Sequence, residues 1–389
     1  MASFLLPLRK LFIVMVPIQM VDLKRQYAAM KDEVDSAIQE VLTTTSFING
    51  KAVGEFAKNL STYLDAEHVI PCANGTDALQ IAMMALGLEP GDEVITPSFT
   101  YIATTEVIAL LRLKPVFIDV DPATFCMDTN QLEKAITSKT KAIVPVHLYG
   151  QAANMEEIMR VANEHNLYVI EDNAQAIGAS VTFSDGAVRK TGTIGHIGCT
   201  SFFPSKNLGC YGDGGAIITR NALLAERIRM VANHGQSKRY YHDVVGCNSR
   251  LDTVQAAVLN CKLPRLDAYN ASRGKVAAFY SNAFASNPKI KTPLTASHTT
   301  HVFHQYTLVL EGVDRNALVD QLAEVGVPSM IYYPVPAHRQ KMFSFLNLPE
   351  VDLPVTDWLT ERVISLPIHT EMDQEQLDYI VKHVNQFVQ

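Results

Sequence analysis

The sequence has no uninterrupted apolar run near the ~18 residues of a membrane-spanning helix, so no membrane domain is expected. It has no basic excess either: 33 Lys+Arg stand against 40 Asp+Glu, a formal net charge of -7. That removes the electrostatic footprint of a DNA- or RNA-binding chain. Its six cysteines (Cys72, Cys126, Cys199, Cys210, Cys247 and Cys261) form no CxxC pair and no ladder. This argues against a disulfide framework or a zinc site and for a reducing, cytoplasmic setting. Internal repeats and low-complexity tracts are absent. Residues 1–16 resemble a targeting segment only faintly. The apolar stretch after Arg9-Lys10 is just Leu11–Val16, with no A-x-A-like cleavage site behind it, so an extension ahead of a later start such as Met15 is expected. His234 and His242 are two candidates for metal, and His298, His301 and His304 form a cluster in a Thr-rich loop with no carboxylate or cysteine alongside. They are expected to be solvated loop histidines rather than a metal site.

What is present is a large, core-rich chain. At 389 residues and 48% hydrophobic, it exceeds the size at which one core stops growing and excludes disorder. Apolar residues near a 3.6-residue period predict a helix over 22–42. Short β-rich runs then alternate with helical patterns: 93–96, 115–120, 142–146, 168–171, 200–203 and 216–219 against 76–87, 101–111, 130–137 and 154–165. That alternation predicts an α/β fold with a largely parallel sheet covered on both faces. A long helical stretch near 251–285 leads to a smaller α+β segment, with a strand at 305–310 and helices at 314–325 and 373–387. The expected division is an extension (1–17), a large α/β domain (18–260), and a linking helix with a small C-terminal domain (261–389).

Three segments carry chemistry. In Asn74-Gly75-Thr76-Asp77 small residues open an apolar helix, whose free N–H groups and dipole favour an anion; a plain helix cap reads the same way. Val169–Gln175 delivers Asp172 and Gln175 at the carboxyl end of a buried-type strand, where open α/β sheets bind ligands. Thr200–Asn207, followed by Gly209 and Gly212–Gly215, runs an apolar strand into a loop with one lysine, Lys206. A shielded lysine has a lowered pKa and becomes an amine nucleophile. Together they can hold a phosphate, a heteroaromatic nitrogen and an aldehyde, the parts of pyridoxal 5'-phosphate (PLP). A dinucleotide site would need G-x-G-x-x-G after the first strand, and Gly192, Gly195 and Gly198 come too late and at the wrong spacing.

The runs SFFPSKNLGCYGDGGAI (201–217), EDNAQAIGA (171–179), CANGTDALQ (72–80), TPSFTYIAT (96–104) and VGCNSRLDTVQAAVLNCKL (245–263) resemble the DegT/DnrJ/EryC1/StrS family. These are PLP-dependent nucleotide-sugar aminotransferases of fold type I, and the resemblance covers the chain from about residue 18 to the end. It implies that Lys206 is the Schiff-base lysine and proton shuttle, Asp172 the partner of the pyridine nitrogen, and Gln175 the neighbour of the 3-oxygen. It further implies that Ser201, Gly75 and Thr76 hold the phosphate and that Tyr101 stacks on the ring. Asn248 would reach the phosphate of a neighbouring subunit, which implies a homodimer with shared sites. Lys206 stands where a dehydratase minority has His, so amino transfer, with glutamate as donor, is the reaction implied.

The stretch 234–253, with its NSRLD run, is similar to aminotransferases acting at C3 of UDP-2-acetamido-2-deoxy-3-oxo-glucuronate for surface polysaccharide such as the O-antigen of lipopolysaccharide. Arg250 suits the sugar carboxylate, since a guanidinium binds a planar carboxylate bidentately; an ion pair in a dimer interface would use the same residue. Tyr332 and Tyr333, in IYYPVP, match a loop lining the sugar site, and His147 lies at a strand end nearby. The alternatives are a dTDP-3-keto-6-deoxyhexose aminotransferase and, in another class, a non-catalytic PLP-binding regulatory protein.

Overall fold

A computed structural model describes residues 17–389. The segment with the faint targeting resemblance and the Met15 start lies outside the described residues. The strands are β1 (His68–Cys72), β2 (Glu93–Pro97), β3 (Lys114–Ile118), β4 (Thr140–Ile143), β5 (Tyr168–Asp172), β6 (Ser180–Thr182), β7 (Val188–Lys190), β8 (Ile197–Ser201) and β9 (Gly215–Thr219), then β10 (Gln236–Lys238), β11 (Tyr241–His242), β12 (Ile290–Lys291), β13 (Tyr306–Leu310) and β14 (Val363–Leu366). Seven of them form the central sheet in the order β1-β9-β8-β5-β4-β2-β3. The pairs from β8 through to β3 are parallel, while β9 runs antiparallel to both β8 and β1. The expected mainly parallel α/β fold is therefore what forms.

Both faces are covered. Helices Gly75–Leu86 and Ala222–Ala232 pack one side in a core with Ile170, Ile197 and Ile217; on the other, Met155–Glu164 covers Ile143 and Val169, and Lys51–Leu64 and Thr253–Lys262 cover Ile218. β8 and β9 are buried along their whole length, as central strands between two helical layers must be. A second core surrounds β12, β13 and β14 with helices Leu266–Phe284, Arg315–Glu324 and Gln374–Phe387, and Ile18 from the start of the described chain packs into it.

Several elements differ from the periodicity reading, among them helices Lys51–Leu64 and Ala222–Ala232, which it did not include. The helix expected over 22–42 is two helices, Leu23–Ala28 and Lys31–Thr44, because Met30 adopts φ -134° and begins the second. The stretch near 251–285 is interrupted at Leu263–Arg265 by a single 3-10 turn, since Pro264 has no N–H to continue the ladder. The strand expected at 200–203 is β8, three residues earlier. Gly198 hides its start, and a Cβ there would lie 2.0 Å from the Gly192 carbonyl oxygen. β1 was missed because Pro71 disguises it; it lies at the sheet edge, where proline is tolerated. Among the described residues no helix is long and apolar enough to cross a membrane.

Candidate active site

The carboxyl ends of β1, β5 and β8 converge, and each hands its next residues to the site. After β1 the chain enters helix Gly75–Leu86 through Asn74, whose side-chain oxygen accepts from the Asp77 N–H at 2.8 Å. That cap leaves the N–H groups of Gly75 and Thr76 without partners among the described residues. A Cβ on Gly75 would stand 2.8 Å from the Ser201 Cβ, so only glycine lets the helix start approach the end of β8 this closely. The Ser201 oxygen accepts from the Phe203 N–H at 3.3 Å and keeps its own proton to donate. Two free N–H groups, a helix dipole and a hydroxyl form an anion cradle.

Asp172 ends β5 and is buried. One carboxylate oxygen accepts from the Ala174 N–H at 3.1 Å, the other from the Thr104 hydroxyl at 2.7 Å. Neither donor is charged, and no ion pair of the described residues includes this carboxylate. Capacity remains for a cationic heteroatom, which a buried anion needs. Thr104 belongs to helix Ala103–Leu110, and Tyr101, just before that helix, stands 56% exposed beside this carboxylate's donor. The Tyr101 ring is 6.0 Å from the ring of Tyr333.

Lys206 follows β8, its N–H donating to the Phe203 carbonyl at 2.8 Å. Burial pushes its ammonium down to about 8, against the opposing attraction of Asp172. Another lysine, Lys262, is also pushed down to about 8 by burial. The difference is in engagement: the Lys262 amine donates to the Gly209 carbonyl and the Gln26 side chain, whereas the Lys206 amine makes no hydrogen bond with the described residues. Of these two buried lysines, Lys206 is the one free to react.

Gln175 is fixed from two sides. Its side-chain oxygen accepts from the Tyr149 N–H at 2.7 Å and its amide donates to the Tyr333 hydroxyl at 3.0 Å. The Tyr149 hydroxyl in turn donates to the Tyr332 carbonyl. The structure thus brings both expected tyrosines to this wall, Tyr333 by its side chain and Tyr332 by its backbone, and burial raises both phenols. In the 248–250 run, the Ser249 hydroxyl accepts from the Ala73 N–H at 3.0 Å and tethers the run beside the cradle. Asn248 is exposed and Arg250 partly exposed, neither side chain having a hydrogen bond or ion pair among the described residues.

Two histidine expectations resolve differently. His147 turns away from the cradle: its Nδ1 accepts from the Ala153 N–H at 3.1 Å, so its Nε2 carries the proton and donates to Glu171 at 2.9 Å. It is fully buried and structural. Of the loop histidines expected to be solvated, His234 and His242 are exposed, while His298 and His301 are half-buried and His304 is buried, a correction for that cluster. His304 is 8% exposed and its Nδ1 lies 3.3 Å from the Asn207 side-chain oxygen. His301 stacks on Phe303 with centroids 3.9 Å apart, and burial pushes it down to about 3. The Thr-rich sequence suggested solvent, but Phe303 packs against the second core and His304 faces Asn207 of the Lys206 loop. Among the described residues no group of three or more His, Cys, Asp or Glu could hold a metal ion.

Sequence reasoning missed Thr104 and Tyr149. Thr104 lay within the quoted TPSFTYIAT run, three residues after Tyr101, one helical turn on. Tyr149 carried no such signal, because its role is a backbone donor set by a left-handed φ of 58°.

Known proteins resemble this chain over nearly its whole length. A model of the DegT/DnrJ/EryC1/StrS aminotransferase family matches residues 28–385. UDP-2-acetamido-2-deoxy-3-oxo-D-glucuronate aminotransferase of Pseudomonas aeruginosa is 45% identical, over 93% of this chain and 98% of its own. A protein of Geobacillus stearothermophilus named pleiotropic regulatory protein is 44% identical, over 95% of this chain and 98% of its own. The crystal structure of NtdA from Bacillus subtilis with bound cofactor PMP is 31% identical with a TM-score of 0.88, covering 96% of this chain and 85% of that one.

Proposed function

This chain belongs to the DegT/DnrJ/EryC1/StrS aminotransferase family, and from that premise we propose that it moves an amino group from glutamate to C3 of UDP-2-acetamido-2-deoxy-3-oxo-glucuronate. It is a nucleotide-sugar aminotransferase, and its cofactor is pyridoxal 5'-phosphate. The observation that carries the reading is the unengaged, pKa-lowered amine of Lys206 beside a buried carboxylate and an anion cradle.

The residues present fit that cofactor group by group. Gly75 N–H, Thr76 N–H and the Ser201 hydroxyl would hold its phosphate. Asp172 would keep its ring nitrogen protonated, and Gln175 would donate beside its 3-oxygen. Tyr101, exposed and anchored one turn from Thr104, would cover the ring face. When bound, the cofactor supplies the electron sink for exchange at carbon. The protein's own part is then positional and protonic: Lys206 Nζ would carry the cofactor's attachment and, once displaced by the incoming amine, would as a free base take and return a proton at the substrate carbon.

The site is read as shared in a cytoplasmic homodimer. The Asn248 side chain is exposed with no partner among the described residues, while Tyr101, Phe203, Phe47 and Ile48 present large apolar surface around the 248–253 run and the Lys206 loop. Phe47 lies against that run through its carbonyl, which accepts from the Thr253 N–H at 3.0 Å. Exposed aromatic and aliphatic clusters of this kind mark interfaces.

The uronate reading rests on Arg250, next in sequence to the tethered Ser249 and with no side-chain partner among the described residues. Arg250→Ala is expected to lower kcat/KM for the 3-keto-uronate by roughly 10- to 100-fold, the worth of a charge-assisted contact. Turnover of a dTDP-3-keto-6-deoxyhexose, which has no carboxylate, should stay within about twofold. Equal losses on both would remove the case for the uronate. The regulatory name carried by one relative supports a second reading. A protein that binds the cofactor but is not altered by any amino donor would be its signature.

A further inference from the structure

Lys262, already set apart from Lys206, makes a demand on the fold that packing does not explain. It ends helix Thr253–Lys262 at 1% exposure. Its ammonium donates to the Gly209 carbonyl at 2.7 Å and to the Gln26 side-chain oxygen at 2.9 Å, and lies 4.6 Å from the centre of the Tyr211 ring. No carboxylate pairs with it among the described residues. Burying an ammonium without a counter-ion is costly, and a methionine would fill the same volume without that cost. What the charge adds is a directional grip on carbonyl oxygens.

One of those carbonyls belongs to the loop that carries Lys206. That loop doubles back tightly: the Cys210 N–H donates to the Phe202 carbonyl at 2.8 Å, and a Cβ on Gly209 would lie 2.3 Å from the Pro204 carbonyl oxygen. Asn207 is held on the other side, its amide donating to Asn270 at 2.7 Å and to the Val302 carbonyl at 2.9 Å. The backbone after Lys206 is therefore anchored twice within three residues, once by a neutral amide and once by a cation.

We propose that Lys262 is a positioning residue for Lys206: by holding the Gly209 carbonyl it fixes the turn from which the Lys206 amine reaches the cofactor. The proposal rests on Lys206 being the reactive amine, as read above. It is tested with Lys262→Met and, as a control, Gln26→Ala, which removes a Lys262 partner outside the loop. Each apoprotein is mixed with pyridoxal phosphate, and the growth of the visible band is timed. The single-turnover rate with glutamate is then measured per bound cofactor, and a urea midpoint is recorded. Lys262→Met is expected to slow both rate constants by on the order of 10- to 100-fold, the scale of a small misplacement of a reacting group, with the half-saturating glutamate concentration within about twofold. Gln26→Ala should lower the urea midpoint and leave both rates within about twofold. A Lys262→Met protein that is less stable but keeps wild-type rate constants per bound cofactor would make Lys262 merely structural and overturn the proposal; so would equal slowing by Gln26→Ala. If Lys262→Met does not fold, Lys262→Gln, a donor of shorter reach, is read in the same assay: slowed rates support the role and unchanged rates overturn it. A wild-type protein that forms no band would count against the function reading, not against Lys262.

Discussion

Lys206→Ala is expected to lower the rate of amino transfer by on the order of 10⁴-fold, the upper end of what one positioned acid–base group contributes. The reason is in the protonation state as well as the position. With its pKa pushed down to about 8 by burial, roughly a tenth of the amine is the free base at pH 7, against about one part in a few thousand for an unperturbed lysine. The nucleophile is the deprotonated form, so the rate at which apoprotein captures the cofactor should climb as pH rises toward 8 and level off above it. In Lys206→Ala that pH-dependent capture disappears, while the cradle at Gly75, Thr76 and Ser201 still binds phosphate. Single-turnover absorbance with glutamate checks both statements; a Lys206→Ala protein that transfers amine at an undiminished rate would refute the assignment.

Asp172→Asn is expected to cost about 100-fold in the same half-reaction, the energy of a charge-assisted hydrogen bond in a buried site. Asparagine preserves the shape and can still accept from the Ala174 N–H, so folding should survive. What it loses is the anion that keeps the cofactor's ring nitrogen protonated and the electron sink deep. Thr104 donates to this carboxylate at 2.7 Å from a separate helix, which orients it rather than neutralises it. The measurement is the glutamate half-reaction rate with its dependence on glutamate concentration. A loss confined to cofactor affinity, with the rate per bound cofactor unchanged, would contradict the electronic role.

How much of this was legible in sequence differs by residue. The strand ends that place Asp172 and Ser201 were visible because buried parallel strands read as apolar runs, and Gly75 and Lys206 stood out against them. β1 and the start of β8 were obscured by Pro71 and Gly198, residues whose presence is dictated by an edge position and by the close backbone of Gly192. The burial of His304 could not be read locally, because the side chain it faces, Asn207, lies 97 residues earlier in the chain. Tyr149 and Lys262 act through a backbone N–H and a backbone carbonyl, and such contacts carry no side-chain pattern along the chain.

The most direct test of the central claim is one absorbance titration of the purified protein with its cofactor. Glutamate should remove the visible band of the Lys206-bound cofactor, and UDP-2-acetamido-2-deoxy-3-oxo-glucuronate should restore it. A band that persists through glutamate and every other amino donor, or no band at all, would contradict the account.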